Sequence, residues 1–76
     1  MPHITIKCYP GRSEEQKRQL AEKITEAFVT TFNASAEHVS IALQEIVPAD
    51  WDAQVWDPEI KPNMDSLLKK PEYQHD

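Results

Sequence analysis

A chain of 76 residues with one cysteine lacks any covalent means of holding a small core together. A domain of this length buries only about 60% of the surface that its unfolded chain exposes, and such chains usually add disulfides, a metal or a partner subunit. Cys8 cannot form an intrachain disulfide. The three histidines show none of the paired spacings of a zinc site: His3, His38 and His75. The sequence therefore predicts self-association, without a metal or a cofactor.

The charge pattern excludes several classes of partner. The formal net charge is -5 and the basic residues form no cluster, which argues against nucleic acids and anionic membranes as partners. No apolar run approaches the length of a membrane span, and the first residues lack the features of a signal peptide. A lone thiol is typical of a reducing compartment. We therefore expect a cytoplasmic protein.

The first half of the chain carries clear signals for a strand followed by a helix. Apolar and polar residues alternate over residues 3–8, which is typical of a strand with one buried face. Gly11 then permits a turn with a positive φ angle. Ser13 and Gln16 form a capping-box pattern that opens a helix with a predicted end near Asn33. One stripe recurs at helical spacing: Leu20, Ile24, Ala27, Phe28, Thr31 and Phe32.

A second strand is predicted over residues 39–46, which completes a strand–helix–strand unit. Such a βαβ unit has parallel strands, so the fold class is α/β (α+β). A two-stranded sheet keeps two open edges and is marginal by itself. We therefore expect subunits to pair into a four-stranded sheet covered by helices, which is a second argument for a homodimer.

The C-terminal part predicts turns followed by a last helix. Residues 50–52 and 56–58 have the composition of turns, and Asp57 could cap a helix with Pro58 at its first position. The apolar stripe of this helix ends before Pro71: Ile60, Met64, Leu67 and Leu68. The whole chain, residues 1–76, is expected to be one domain, with a βαβ core over 2–46 and a turn and helix over 47–76.

The candidate for chemistry is the N-terminus. Pro2 follows Met1 and is small, which is the setting in which the initiator methionine is usually removed. The freed α-amine would have a pKa of roughly 7.7–8.0, which desolvation or a nearby cation would lower. Such a base suits proton abstraction beside a carbonyl. The Met-Pro dipeptide alone, however, fits a mere processing site at a strand edge better.

Three segments together resemble the 4-oxalocrotonate tautomerase family: residues 2–7, 11–17 and 39–46. The likeness extends from residue 2 to about residue 51 and is strongest to a dimeric bacterial branch. It implies that the chain is an isomerase, a keto–enol tautomerase. In this family Pro2 would be the general base, acting on small 2-hydroxydienoate or enolpyruvate-type carboxylates. It also implies a homodimer rather than a hexamer, because a polar helix replaces the C-terminal hairpin of hexameric members.

The resemblance assigns roles to a few further residues. Arg12 matches the first arginine of the family, which is expected to hold the substrate carboxylate or polarise its oxygen. Trp51 matches an aromatic that either shields the amine from water or packs against the C-terminal helix. Ser40 stands where the family has a second arginine, so a monocarboxylate enol is the expected substrate. Ser40, Gln44 and His38 are candidates for weaker polar contacts.

Two other functions remain compatible with this sequence. The first is a hydratase or dehalogenase on the same scaffold, which turnover of a halogenated acrylate would indicate. The second is a non-catalytic dimeric module of the same fold, in which replacement of Pro2 would change nothing.

Overall fold

The computed structural model describes residues 1–73, so His75 lies outside the described part. The chain forms two compact units, Met1–Glu45 and Ile46–Asp76. The first unit contains the strands β1 (His3–Cys8) and β2 (Ser40–Glu45) with a long helix between them. The second unit is helical. The α+β architecture predicted from the sequence is confirmed.

The two strands form a parallel pair, as the strand–helix–strand pattern predicts. Their register places His3 opposite Ser40 and, at the other end, Cys8 opposite Glu45. The second strand is one residue shorter at each end than predicted. Side chains at alternate positions therefore share one face of the sheet, which brings residues from distant parts of the sequence together.

The helix α1 (Glu14–Phe32) begins and ends at the residues that its sequence signals indicate. The backbone N–H of Gln16 donates to Ser13 Oγ at 3.1 Å, and the N–H of Ser13 donates to Gln16 Oε1 at 2.9 Å. This reciprocal capping box satisfies two backbone donors that the first turn would otherwise leave unpaired. Asn33 ends the helix in the left-handed conformation, with φ of 58°.

The turn that precedes α1 depends on the only glycine. Gly11 has φ of +127°, a value that residues with a Cβ rarely adopt. Ser13 follows two residues later in extended conformation and caps the helix. Arg12, between them, is exposed. The turn thus fixes Arg12 beyond the C-terminal end of β1.

Helix α1 lies against one face of the sheet. Lys17 on the helix pairs with Glu45 on β2 at 3.1 Å and with Glu14 at 3.2 Å. The hydrogen bond to Glu45, and then that to Glu14, raises the pKa of the Lys17 ammonium above its ordinary value. Beside this ion pair, apolar residues of both elements line an open cavity of about 240 Å³: Ile6, Leu20, Ala21, Ile41 and Leu43.

The second unit corrects the prediction for residues 47–66. Helix α2 (Pro48–Trp51) begins with Pro48 at its first position, directly after the extended residue Val47. A π-helical segment, Asp52–Ile60, and a 3₁₀ segment, Lys61–Ser66, continue from it. The turns predicted at 50–52 and 56–58 are therefore helical. Proline at a first helical position costs no hydrogen bond. Pro48 occupies this position, which the sequence pattern predicts for Pro58.

Pro58 lies inside the helical run rather than at its start, so Asp57 does not cap a helix. A proline inside an α-helix lacks an N–H and meets the carbonyl four residues earlier. The wider π turns accommodate it, and the N–H of Lys61 donates to the carbonyl of Trp56 five residues back. The helical run ends at Ser66, so the predicted stripe residue Leu68 lies beyond it and is fully exposed.

The core of a single chain is small. Among residues 1–73, the buried hydrophobic side chains are Ile46, Val55 and Trp56, and the described residues include none that is completely buried. Large apolar side chains remain exposed instead, among them Phe32 and Leu68. This small core is what the length of the chain predicts. The helices of the described residues include none long and apolar enough to cross a membrane.

Candidate active site

Pro2 is tied to the sheet although it precedes β1. Its carbonyl accepts a hydrogen bond of 3.1 Å from the backbone N–H of Ser40, at the first position of β2. The residue is half-buried, whereas Met1 is 95% exposed. This bond fixes the position of Pro2 relative to the start of both strands.

The side chains of His3 and Ser40 meet on one face of the sheet, at the corner where both strands begin and where Pro2 lies. His3 Nδ1 lies 2.7 Å from Ser40 Oγ, which is a short hydrogen bond between two cross-strand neighbours. His3 Nε2 lies 3.5 Å from Thr5 Oγ1, at the limit of a hydrogen bond. Ser40 therefore holds Pro2 through its backbone and His3 through its hydroxyl.

Arg12 does not join this corner within one chain. It follows the C-terminal end of β1, whereas Pro2 precedes the N-terminal end. The strand contains six residues. At about 3.3 Å per residue, the two ends are about 20 Å apart. The structure thus places Pro2 and Ser40 together and separates Arg12 from them.

Trp51 belongs to the second unit. It is the last residue of α2 and half-buried, and its indole N–H donates to the hydroxyl of Tyr73 at 3.3 Å. The ring of Tyr73 also packs against Trp56, with ring centres 5.4 Å apart. This contact agrees with a packing role in the C-terminal segment. A role as an apolar wall for the amine stays a prediction.

The two other polar candidates occupy different ends of β2. His38 is exposed at the end of a short 3₁₀ helix, two residues before Ser40. Gln44 pairs with Lys7 near the far end of the sheet, well away from Pro2. Within residues 1–73, the structure brings together no group of three or more residues that could hold a metal ion.

His3 is the residue that the sequence did not single out for this corner. The alternation of β1 places it on the outer face, but nothing local shows what lies opposite. The register with β2 supplies that information, because it pairs His3 with Ser40 across 37 residues of sequence. A pairing at that separation can be found only once the parallel register is known.

A parallel strand pair under one helix, with an anchored proline before the first strand, is the architecture of a known enzyme class. The sequence model of the tautomerase enzyme family matches residues 2–55 of this chain. The chain therefore belongs to this family. It is therefore a tautomerase, an isomerase. Members of the family are oligomers that bind small substrates.

Its curated relatives include proteins named Tautomerase PptA. That of Enterobacter sp. (strain 638) is 49% identical over 74 residues, which cover 96% of this chain and 97% of the relative. That of Escherichia coli O157:H7 is also 49% identical over 74 residues, with the same coverage. The similarity to this branch that the sequence indicates is thus confirmed.

Solved structures agree with the family. YwhB, a homologue of 4-oxalocrotonate tautomerase, is 43% identical with a TM-score of 0.59, over 60% of this chain and 75% of that chain. A heterohexameric 4-oxalocrotonate tautomerase from Chloroflexus aurantiacus is 33% identical with a TM-score of 0.64, over 67% of this chain and 82% of that chain. TomN, a 4-oxalocrotonate tautomerase homologue from the tomaymycin biosynthetic pathway, is 30% identical with a TM-score of 0.64, over 66% of this chain and 77% of that chain.

Proposed function

We propose that the amine of Pro2, freed by removal of Met1, is the general base of a keto–enol tautomerase that acts on small enol carboxylates. The observation that carries this proposal is the hydrogen bond from the Ser40 N–H to the Pro2 carbonyl. It holds the N-terminal residue at a fixed place, where a flexible terminus would not keep a base aligned with its substrate.

The reaction needs only this amine as proton carrier. The amine accepts the proton of the enol hydroxyl while the C–O bond becomes a carbonyl, and the same proton is then delivered to the neighbouring carbon. Atoms and electrons balance, because one O–H bond breaks and one C–H bond forms. An α-amine titrates near pH 8, and desolvation by bound substrate lowers its pKa toward neutrality, where a base of this kind is most effective.

The proposal includes a second copy of the chain, because Arg12 cannot reach Pro2 within one chain. If two copies pair through β1 in antiparallel fashion, the end of one β1 lies beside the start of the other. Arg12 of the second copy then approaches Pro2 of the first and can hold a planar carboxylate through its fork of donors. The result is a homodimer with a four-stranded sheet, whose site is incomplete in a monomer.

The substrate class follows from the polar groups near Pro2. Ser40 carries no charge, so a second carboxylate would find no cation there. A monocarboxylate enol, such as that of an aryl or alkyl pyruvate, fits the site better than a diacid. Trp51 would contribute an apolar wall to the same site. A cytoplasmic location is part of the proposal, since Cys8 is a free thiol.

The test combines intact mass with an enzymatic assay. The natively expressed protein is expected to lack the mass of Met1 and to ketonise the enol of phenylpyruvate. In Pro2→Ala, kcat/KM is expected to fall by roughly 100- to 10,000-fold, the usual contribution of a positioned base. Pro62→Ala, at an exposed position of the 3₁₀ segment Lys61–Ser66, is the matched control and should retain activity.

Retention of Met1 together with full turnover would overturn the proposal, because an amide nitrogen is not basic. Turnover indifferent to Pro2→Ala would do the same. Hydrolytic release of halide from a 3-haloacrylate at a higher kcat/KM than enol ketonisation would favour the hydratase or dehalogenase alternative on this scaffold.

A further inference from the structure

We propose that His3 donates a hydrogen bond to the substrate carboxylate, in addition to Arg12 of the second copy, and that Ser40 is the positioning residue that orients the His3 ring. The inference rests on the proposed function and extends it by naming the group that receives the carboxylate within the same chain. His3 directly follows Pro2, and consecutive Cα atoms are about 3.8 Å apart. In an enolpyruvate the carboxylate is bonded to the enol carbon, so the base and the carboxylate-binding group must be near neighbours.

The ring of His3 is held on one side and available on the other. Its Nδ1 lies 2.7 Å from Ser40 Oγ, and a serine hydroxyl that donates to Nδ1 leaves Nε2 as the N–H of the neutral ring. Within residues 1–73, the hydrogen-bond contact of Nε2 is a long one, 3.5 Å to Thr5 Oγ1. A carboxylate oxygen can take the place of that weak contact, because a hydrogen bond to a charged acceptor is the stronger one.

The charge of the surrounding surface also suits an anion. Among the described strand residues, those that share the His3 face include no acidic residue. The register assigns six residues to that face: His3, Thr5, Lys7, Ser40, Ala42 and Gln44. Glu45, the acidic residue of β2, pairs in register with Cys8 and is bound to Lys17 of α1. A substrate carboxylate on the His3 face therefore meets no like charge from either strand.

The test uses His3 and Ser40 variants of the full chain with the enol of phenylpyruvate. In His3→Ala, KM is expected to rise about 10-fold or more, the usual effect of losing a hydrogen bond to a charged group. The kcat should stay nearly constant, because this contact is made equally in the ground state and the transition state. His3→Gln keeps an N–H donor and should recover part of the loss.

Ser40 gives the second arm of the test. Ser40→Ala should raise KM by less than His3→Ala, since the ring remains but is no longer oriented, whereas Ser40→Thr keeps the hydroxyl and should restore KM. The matched control is Lys23→Gln, an exposed lysine of α1 and therefore on a different element from His3. It should leave KM unchanged.

The methyl ester of the same enol separates carboxylate binding from a structural effect. If His3 binds the carboxylate, the wild type should have a higher KM for the ester than for the acid. The KM for the ester should then be the same in His3→Ala as in the wild type. If His3→Ala changes KM equally for acid and ester, or changes neither, this inference is wrong. The proposed function still holds in that case, provided that the wild type turns over the enol acid. A wild-type protein that turns over neither compound overturns both.

Discussion

Ser40 contacts Pro2 and His3 through two separable groups. Its backbone N–H holds the carbonyl of Pro2, a bond that any residue other than proline could make at this position. Its hydroxyl holds His3, and that contact requires serine or threonine. Replacement of the side chain therefore releases the imidazole without releasing the N-terminal residue. This separation allows the base and the proposed carboxylate-binding group to be probed independently.

The role proposed for Arg12 depends on a second copy of the chain. We expect Arg12→Ala to raise KM and lower kcat for enol carboxylates, with kcat/KM reduced about 10- to 100-fold, as for the loss of a charged hydrogen bond. Steady-state kinetics with the phenylpyruvate enol measure this change. Arg18→Ala is the matched control, because Arg18 is an exposed arginine of α1 that pairs with Glu15 and Glu22.

Unchanged kinetics in Arg12→Ala would remove this residue from the site. Loss of activity in Arg18→Ala as well would point to the overall charge of the protein rather than to a contact with the substrate. Mixing Arg12→Ala with Pro2→Ala offers a further check. If the site combines Pro2 of one copy with Arg12 of the other, mixed dimers contain one intact site and should be more active than either parent.

At the scale of elements, α1 is stabilised by signals within its own sequence. We expect Ser13→Ala to lower the free energy of unfolding by about 1 kcal/mol, because the cap that it forms with Gln16 is lost. Thermal or urea unfolding measures the change. Ser35→Ala is the matched control: Ser35 also precedes a helix, but within the described residues its side chain makes no capping hydrogen bond. An equal effect of both substitutions would contradict the role of the capping box.

The elements differ in how far their sequence determines them. The first strand and α1 were predicted almost to the residue, because alternation, a capping box and a terminal Asn33 are local signals. The helical segment after Pro48 was predicted wrongly, because prolines and aspartates suggested turns. Burial of Val55 and Trp56, at 5% exposure each, stabilises helical turns there that local preference disfavours.

The same distinction applies to the candidate site. The resemblance points to Pro2, Arg12, Ser40 and Trp51, and the structure shows Pro2 and Ser40 in contact through their backbones. Nothing in the sequence shows that His3 meets Ser40, because that pairing depends on the register of two strands.

At the scale of the whole molecule, the small buried core and the open sheet edges both favour pairing with a second copy of the chain. A chain with so few buried side chains is marginal alone, and its sheet keeps unpaired backbone groups along both edges. Pairing of two copies through β1 would remove an edge on each copy and bring Arg12 beside Pro2. Pairing through β2 would leave the two residues on outer strands, separated by the width of the sheet.

The direction of the backbone groups identifies which residues of β1 would make that pairing. The carbonyl of Pro2 points to β2, since it accepts from Ser40, and successive residues of a strand point to opposite edges. The groups of the odd-numbered residues, His3, Thr5 and Lys7, therefore point to the open edge. A proline at one of these positions removes a donor for a partner strand and spares the ladder to β2.

We therefore expect the wild type to sediment as a dimer and Lys7→Pro to shift toward monomer in analytical ultracentrifugation. Because dimerisation stabilises the folded state by mass action, the melting temperature of the wild type should rise with protein concentration, and that of Lys7→Pro should lose this dependence. Lys7→Gln removes the same charge but keeps the N–H, and it should remain dimeric. A wild-type monomer would contradict the argument from the small core. A dimer that Lys7→Pro leaves intact would instead place the interface elsewhere, and Arg12 could then no longer reach Pro2 by pairing of the β1 edges.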